Sequence, residues 1–150
     1  MSNQEANSQL ADDLAHLLAD TYVLCLKTQN YHWNVSGPHF SSFHDLFQDL
    51  YEMLFKAGDA IAERIRMLGF IAPGSYEAFS KLTHIKEETQ CPPAMDMIKI
   101  LAEDHRWMIE SIYRLIATAQ KKGDEGTADF LTGRLQEHEK VLWMLESTLD

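Results

Sequence analysis

Hydrophobic side chains recur every three or four residues along most of the chain, which is the spacing of one face of an α-helix. Four long helices are predicted, and the sequence shows no strand-like alternation and no internal repeat. They run from Asn7 to about Asn34, from Phe40 to Leu68, from Pro92-Pro93 to Gly123, and from about Thr127 to Leu149. The stripes predict inward-facing residues such as Leu14, Leu17 and Tyr31, then Phe47 and Leu54, then Met95, Ile98 and His105, and finally Leu131 and His138.

The connections between these helices predict the architecture. Pro38 suits the first turn of the second helix, with Ser36 or Gly37 ahead of it as cap, and Gly69 suits the position just past its end. About two dozen residues follow, and Ser75 to His84 could form a short helix whose Tyr76, Phe79 and Leu82 pack inward. The chain is therefore predicted to be an all-α, ferritin-like four-helix bundle with one long crossover carrying a short extra helix.

Composition narrows the possibilities. At 150 residues the chain is predicted to be one domain, residues 1-150, with residues 1-6 disordered. A membrane span or signal peptide is not predicted, so a cytoplasmic protein is expected. The formal charge of −10 opposes unspecific attraction to nucleic acid and favours cations, and Asp12, Asp13 and Asp20 are expected on the outer side of the first helix. Cys25 is expected to be a buried thiol, and no disulfide framework is predicted.

Two residue pairs carry the candidate chemistry. His32 and His44 flank the turn between the first two helices, so the chain reversal brings them together. Asp59 and Glu63 lie four residues apart on the second helix, where their carboxylates can share a cation. Such carboxylates commonly form a solvated face or pair with neighbouring cations, here Arg64 and Arg66.

The length of the second helix decides how these pairs could combine. At ~1.5 Å per residue, His44 lies about 22 Å from Asp59 along one straight helix, too far for a single ion to bridge. One site requires two antiparallel copies of the helix, related by a twofold axis that passes close to Tyr51 and Glu52. A Glu-x-x-His pair, which a di-iron centre inside the bundle would need, does not occur in the sequence. The neighbouring Glu103, Asp104 and His105 form a poor chelate, and His105 is expected to be a hydrogen-bonded core residue.

A set of spaced residues resembles the signature of the Dps family of ferritin-like mini-ferritins, first described as DNA-binding proteins of starved cells. The resemblance lies in His32-Trp33-Asn34-Val35, Gly37, Phe40, His44, Asp59, Ala62-Glu63-Arg64 and Leu68-Gly69, and it continues through Thr127-Ala128-Asp129 and Leu142-Trp143. It covers nearly the whole chain.

The resemblance implies a function. It implies a ferroxidase that oxidises Fe(II), preferably with hydrogen peroxide, at intersubunit centres and stores ferric mineral in a hollow dodecamer. His32 and His44 would come from one subunit, and Asp59 and Glu63 from its neighbour. Trp33 resembles a tryptophan thought to take up oxidising equivalents, although an aromatic that only packs at the interface is an alternative. Zinc would accept the same ligands and could compete with iron.

Two further features follow from the resemblance. Glu125 and Asp129 match positions that line a threefold entry pore, although carboxylates there could instead satisfy the dipole at a helix N-terminus. Many family members have a carboxylate four residues after the second histidine, whereas this chain has the neutral Gln48. That difference puts the second, weaker iron position in question.

Nucleoid-associated DNA protection with little ferroxidase activity is the alternative function. In the family DNA binding often depends on a lysine-rich tail, and residues 1-26 here contain no Lys or Arg. Direct DNA binding is therefore expected to be weak or absent. A bundle serving only as an interaction scaffold is a third possibility, which would require the spacing of the four site residues to be accidental.

Overall fold

Five α-helices form the part of the protein that the computed structural model describes, residues 3-150. They are α1 (Asn3–Asn34), α2 (Phe40–Met67), α3 (Tyr76–Leu82), α4 (Ala94–Lys121) and α5 (Glu125–Leu149). No strand occurs among the described residues. The long helices pair as two hairpins, α1 with α2 and α4 with α5, and α1 also contacts α3 and α4. The predicted all-α bundle with a helix in its long crossover is confirmed.

Helix α1 begins at Asn3, four residues before the predicted start, so the part of the segment 1-6 that the structure describes is helical. The predicted inward stripe of this helix is buried, with Leu14, Leu24 and Tyr31 almost fully inaccessible. Asp20 was expected to face outward, and that prediction is wrong because its side chain is 1% exposed. Residues 1 and 2 lie outside the described part.

Helix α2 begins at Phe40, as predicted, although Pro38 does not lie in its first turn. His39 is the N-cap, and Pro38 lies in the preceding turn rather than in the helix. The Phe40 N–H donates to the Gly37 carbonyl at 3.1 Å, and Gly37 adopts φ +114°, a conformation that favours glycine. At the other end Leu68 is the C-cap and Gly69 follows with φ +96°, as predicted.

The crossover is attached to the bundle through α3 and the residues after it. Phe79 is buried, but the prediction that Tyr76 packs inward is wrong, since Tyr76 is 78% exposed. Beyond α3 the buried Asp20 carboxylate accepts hydrogen bonds from Thr83 Oγ1 at 2.8 Å and from the His84 N–H at 2.6 Å. It also accepts one from Trp107 Nε1 at 3.0 Å, so one carboxylate joins α1, the crossover and α4.

Helices α4 and α5 enclose a polar contact inside the apolar core. Met97, not the predicted Met95, faces the core at the start of α4. His105 is fully buried and its Nδ1 lies 2.9 Å from His138 Nδ1 on α5, which confirms it as a hydrogen-bonded core residue. No described helix is long and apolar enough to cross a membrane.

Candidate metal centre

The turn between α1 and α2 places two histidine rings face to face. His32 lies at the carboxyl end of α1 and His44 in the first turns of α2. Their ring centroids are 3.9 Å apart and their planes differ by 16°. His32 is buried and His44 is half-buried, so one edge of the pair reaches the surface. The predicted approach of the two histidines is confirmed.

Reciprocal hydrogen bonds fix the chemistry of these rings. His32 Nδ1 lies 2.7 Å from the His44 carbonyl oxygen, and His44 Nδ1 lies 2.7 Å from the His32 carbonyl oxygen. A carbonyl only accepts, so each Nδ1 carries the proton and each neutral ring keeps its lone pair on Nε2. Metal-binding histidines commonly have this arrangement, with one ring nitrogen donating to a carbonyl and the other on the metal.

Neighbouring aromatic rings hold the histidines in place. Phe40 stacks on His44 at 5.0 Å between centroids, and Tyr51 meets His32 edge-on at 5.3 Å. These contacts and the two hydrogen bonds restrict rotation of both imidazoles. The pair is therefore preorganised before any ion arrives.

The carboxylates lie at the other end of α2. Asp59 and Glu63 are both exposed, and neither makes an ion pair or side-chain hydrogen bond with the described chain. Their cationic neighbours have other partners: Arg64 lies 3.6 Å from Asp124 and donates to Thr127, whereas Arg66 donates to the Phe70 carbonyl. The carboxylates are thus left available to a cation.

One subunit does not bring the two pairs together. Within residues 3-150 no group of three or more His, Cys, Asp or Glu side chains could hold a metal ion. His44 and Asp59 lie fifteen residues apart on α2, about 22 Å at the rise of an α-helix. The histidine pair and the carboxylate pair therefore lie apart within one subunit, toward opposite ends of α2.

Gln48 lies one turn beyond His44. It is half-buried, and its Nε2 donates to Glu52 Oε1 at 3.0 Å. The amide is thus held by a carboxylate on its own helix and adds no charge beside the histidines.

The remaining predicted residues lie at the surface. Trp33, next to His32, is 61% exposed. Glu125 and Asp129 are exposed in the first turns of α5, where Asp124, not either of them, accepts the Thr127 N–H at 3.0 Å as the N-cap. Capping therefore does not require Glu125 or Asp129.

Sequence reasoning missed an apolar surface across the middle of α1 and α2. Leu26 is 51% exposed and Phe55 62% exposed, and they border a cavity of about 350 Å³ together with Tyr51 and Glu52. Cys25 also lines it, and its half-buried thiol donates to the Tyr51 carbonyl at 3.3 Å. Burial raises the pKa of this thiol to about 11, so it is a packing group rather than a reactive thiolate. The available signal was the recurrence of large apolar side chains opposite the buried stripes.

Comparison with known proteins places this chain in a family. A model described as a ferritin-like domain matches residues 11–150. A low temperature-induced protein of Nostoc sp. is 44% identical over 135 residues, covering 89% of this chain and 75% of the relative. The DNA protection during starvation protein of Helicobacter pylori is 36% identical over 137 residues, covering 91% of this chain and 95% of the relative.

A solved structure agrees with these matches. The crystal structure of a Dps protein from Vibrio cholerae O1, described as a member of a broad superfamily of ferritin-like diiron-carboxylate proteins, superposes with a TM-score of 0.95 at 30% identity. The superposition covers 98% of this chain and 92% of that one. The fold, the matched residues and these relatives together show that the chain belongs to the Dps family of ferritin-like proteins.

Proposed function

We propose that this protein oxidises Fe(II) at centres shared between two subunits, preferably with hydrogen peroxide, and stores the ferric product inside a hollow dodecamer. A general role in iron storage agrees with its ferritin-like family. The observation that carries the specific proposal is the reciprocal hydrogen bonding of His32 and His44, which occupies Nδ1 of each stacked ring and leaves each Nε2 available to a metal ion.

A twofold axis completes the centre. It sets His32 and His44 of one subunit beside Asp59 and Glu63 of the other, and it does so twice for each dimer. The axis derived from the helix length passes near Tyr51 and Glu52, and those two residues line the apolar cavity beside Leu26 and Phe55. Exposed apolar side chains at that level support a packing surface between subunits.

The donor set suits iron as substrate. Two neutral imidazoles and two carboxylates give a site that accepts a divalent first-row cation, with Glu63 the natural bridge if two ions bind. Each of two Fe(II) ions then gives one electron to one peroxide molecule, the O–O bond breaks, and the ferric ions take hydroxide from water with release of protons. Trp33 is proposed to supply an electron when a second iron is lacking, which would keep radicals from leaving the site.

Glu125 and Asp129 are proposed to guide Fe(II) inward. Both carboxylates are exposed, four residues apart at the start of α5, and the capping role is filled by Asp124. A ring of such carboxylates around a threefold axis would attract cations to a pore.

Replacing Asp59 with Ala tests the shared centre. Fast peroxide-driven oxidation of Fe(II), followed by stopped-flow absorbance of the ferric product, should slow at least about tenfold because a ligand is lost. The shell should still assemble, since removing an exposed carboxylate from a metal-free interface relieves repulsion. Asp49→Ala, another exposed aspartate on α2, is the matched control and should oxidise iron at the parent rate. An Asp59→Ala protein as fast as the parent would rule out the assigned centre.

DNA protection is the second candidate function. It is favoured by the name of the Helicobacter pylori relative, a DNA protection during starvation protein. The charge of −10 and the lack of Lys and Arg in residues 1-26 weigh against direct contact with phosphates. Protection through removal of Fe(II) and peroxide would need no such contact.

A further inference from the structure

A second pair of histidines, His16 and His84, meets where the crossover returns to the bundle. His16 is half-buried on α1, and His84 follows α3 after one extended residue. Their ring centroids are 5.5 Å apart and their planes differ by 41°. These two residues, named here the crossover histidine pair, are distant in the chain from every residue of the proposed ferroxidase centre.

Each ring of the pair has an acceptor at Nδ1. His16 Nδ1 lies 2.9 Å from the Leu82 carbonyl oxygen, which makes it the protonated nitrogen and leaves the lone pair on Nε2. His84 Nδ1 faces the buried Asp20 carboxylate at 3.6 Å. A carboxylate behind one ring nitrogen orients the ring and increases the basicity of the other nitrogen toward a metal.

The spacing of the rings fits two ligands of one ion. With metal–nitrogen bonds of roughly 2.0–2.1 Å and a tetrahedral angle, the centroids of two bound imidazoles lie roughly 5 Å apart. The observed 5.5 Å is close to this separation, so the rings could meet one ion by an adjustment of their side-chain torsions. His84 is exposed enough to make it, since half of its side chain is accessible.

A cavity beside the pair gives access to it, and a carboxylate also lines this cavity. It has a volume of about 300 Å³, and its lining includes His16, His84, Asp13 and Arg114. Arg114 stacks over the Trp107 ring at 5.2 Å from its centroid. The pair is not a three-ligand site as it stands, so water or a shift of Asp13 would complete the coordination.

We propose that His16 and His84 bind one late first-row divalent cation, with Zn²⁺ as the representative, at a site separate from the ferroxidase centre. Imidazole nitrogens and a carboxylate suit this class of ion. Binding would tie α1 to the end of the crossover, a contact between segments far apart in the chain. The site would stabilise the fold without taking part in iron oxidation.

Zn²⁺ titration of the metal-free protein by isothermal calorimetry tests the proposal. Compared with the parent, His16→Asn and His84→Asn should each bind one fewer Zn²⁺ per chain. Asparagine places its amide nitrogen near the position of Nδ1, so the hydrogen bond from residue 16 to Leu82 and the contact of residue 84 with Asp20 can persist while the metal-binding nitrogen is removed. His39→Asn is the matched control, because His39 is exposed and its ring contacts Phe43 rather than another histidine. It should bind as many Zn²⁺ ions per chain as the parent.

Two further measurements separate this site from the ferroxidase centre. Zn²⁺ should raise the melting temperature of the parent protein more than that of His16→Asn or His84→Asn. The rate of peroxide-driven Fe(II) oxidation should be the same in the parent and in both variants. Unchanged Zn²⁺ stoichiometry in both variants would overturn the proposal. A His39→Asn protein that also binds one fewer Zn²⁺ would overturn it too. An Asp59→Ala protein that oxidises Fe(II) at the parent rate would rule out the ferroxidase centre but would not affect this proposal.

Discussion

The buried histidine pair between α4 and α5 predicts that the protein loses stability as the pH falls below about 6.5. Arg134 Nη2 lies 3.5 Å from His138 Nε2, which makes that nitrogen the acceptor and His138 Nδ1 the donor to His105. His105 Nε2 then carries a proton and has no partner among the described groups. Both rings are therefore neutral in the folded protein, next to a cationic guanidinium.

The magnitude follows from the shifted pKa values. Burial, with a contribution from Arg134, lowers the pKa of His105 to about 3. Burial first, and then His105 and Arg134, lowers the pKa of His138 well below 6.5. Because both folded pKa values are depressed, the unfolded chain takes up protons below pH 6.5 that the folded chain refuses. At pH 5 this costs about 2 kcal/mol for each histidine, so about 4 kcal/mol for the pair.

Replacement of both histidines by Leu isolates their contribution to the pH dependence of the free energy of unfolding. Guanidinium unfolding of metal-free parent and His105→Leu/His138→Leu proteins is compared at pH 7 and pH 5, at one protein concentration because assembly contributes to stability. The parent should lose about 4 kcal/mol more than the variant between the two pH values. Carboxyls such as Asp104, whose pKa is raised by burial, act equally in both proteins and cancel. Equal losses would show that the folded protein protonates the pair as readily as the unfolded chain does, and would refute the argument.

Three other predictions concern single features. Gln48→Glu adds a carboxylate one turn from His44 and should increase the number of Fe(II) ions bound per centre, measured anaerobically by calorimetry; an unchanged number would exclude this position as a ligand. Asp20→Asn places an amide NH₂ group against groups that donate hydrogen bonds to the Asp20 carboxylate, so the free energy of unfolding should fall by about 1.5–3 kcal/mol. The control Asp12→Asn, at an exposed position, should leave the free energy of unfolding almost unchanged when both variants are unfolded in guanidinium. The protein should not shift duplex DNA on a gel at about 0.15 M salt, and a shift abolished by high salt would contradict this.

The sequence by itself determined the helices and the interior of the bundle. Periodic apolar residues such as Leu14, Phe47 and Leu131 are buried because a helix with one apolar stripe can lower its free energy only by packing that stripe against another. The approach of His32 and His44 also followed from sequence, since a short turn between antiparallel helices places both near one end. The same periodicity was least informative in the short helix α3 and in the first turn of α4. There it wrongly predicted that Tyr76 and Met95 face inward.

Only the tertiary structure decided which partner each buried polar group finds, and only it showed that Asp20 is buried. Asp20 was expected on the outer side of α1 but is buried, and three donors from the crossover and α4 offset the cost of burying its carboxylate. Those donors lie 63 to 87 residues away, so no local pattern indicates them. The partnership of His105 and His138, 33 residues apart, arises in the same way. Local sequence fixes which face of a helix is apolar, whereas long-range packing selects the partner that each buried polar group finds.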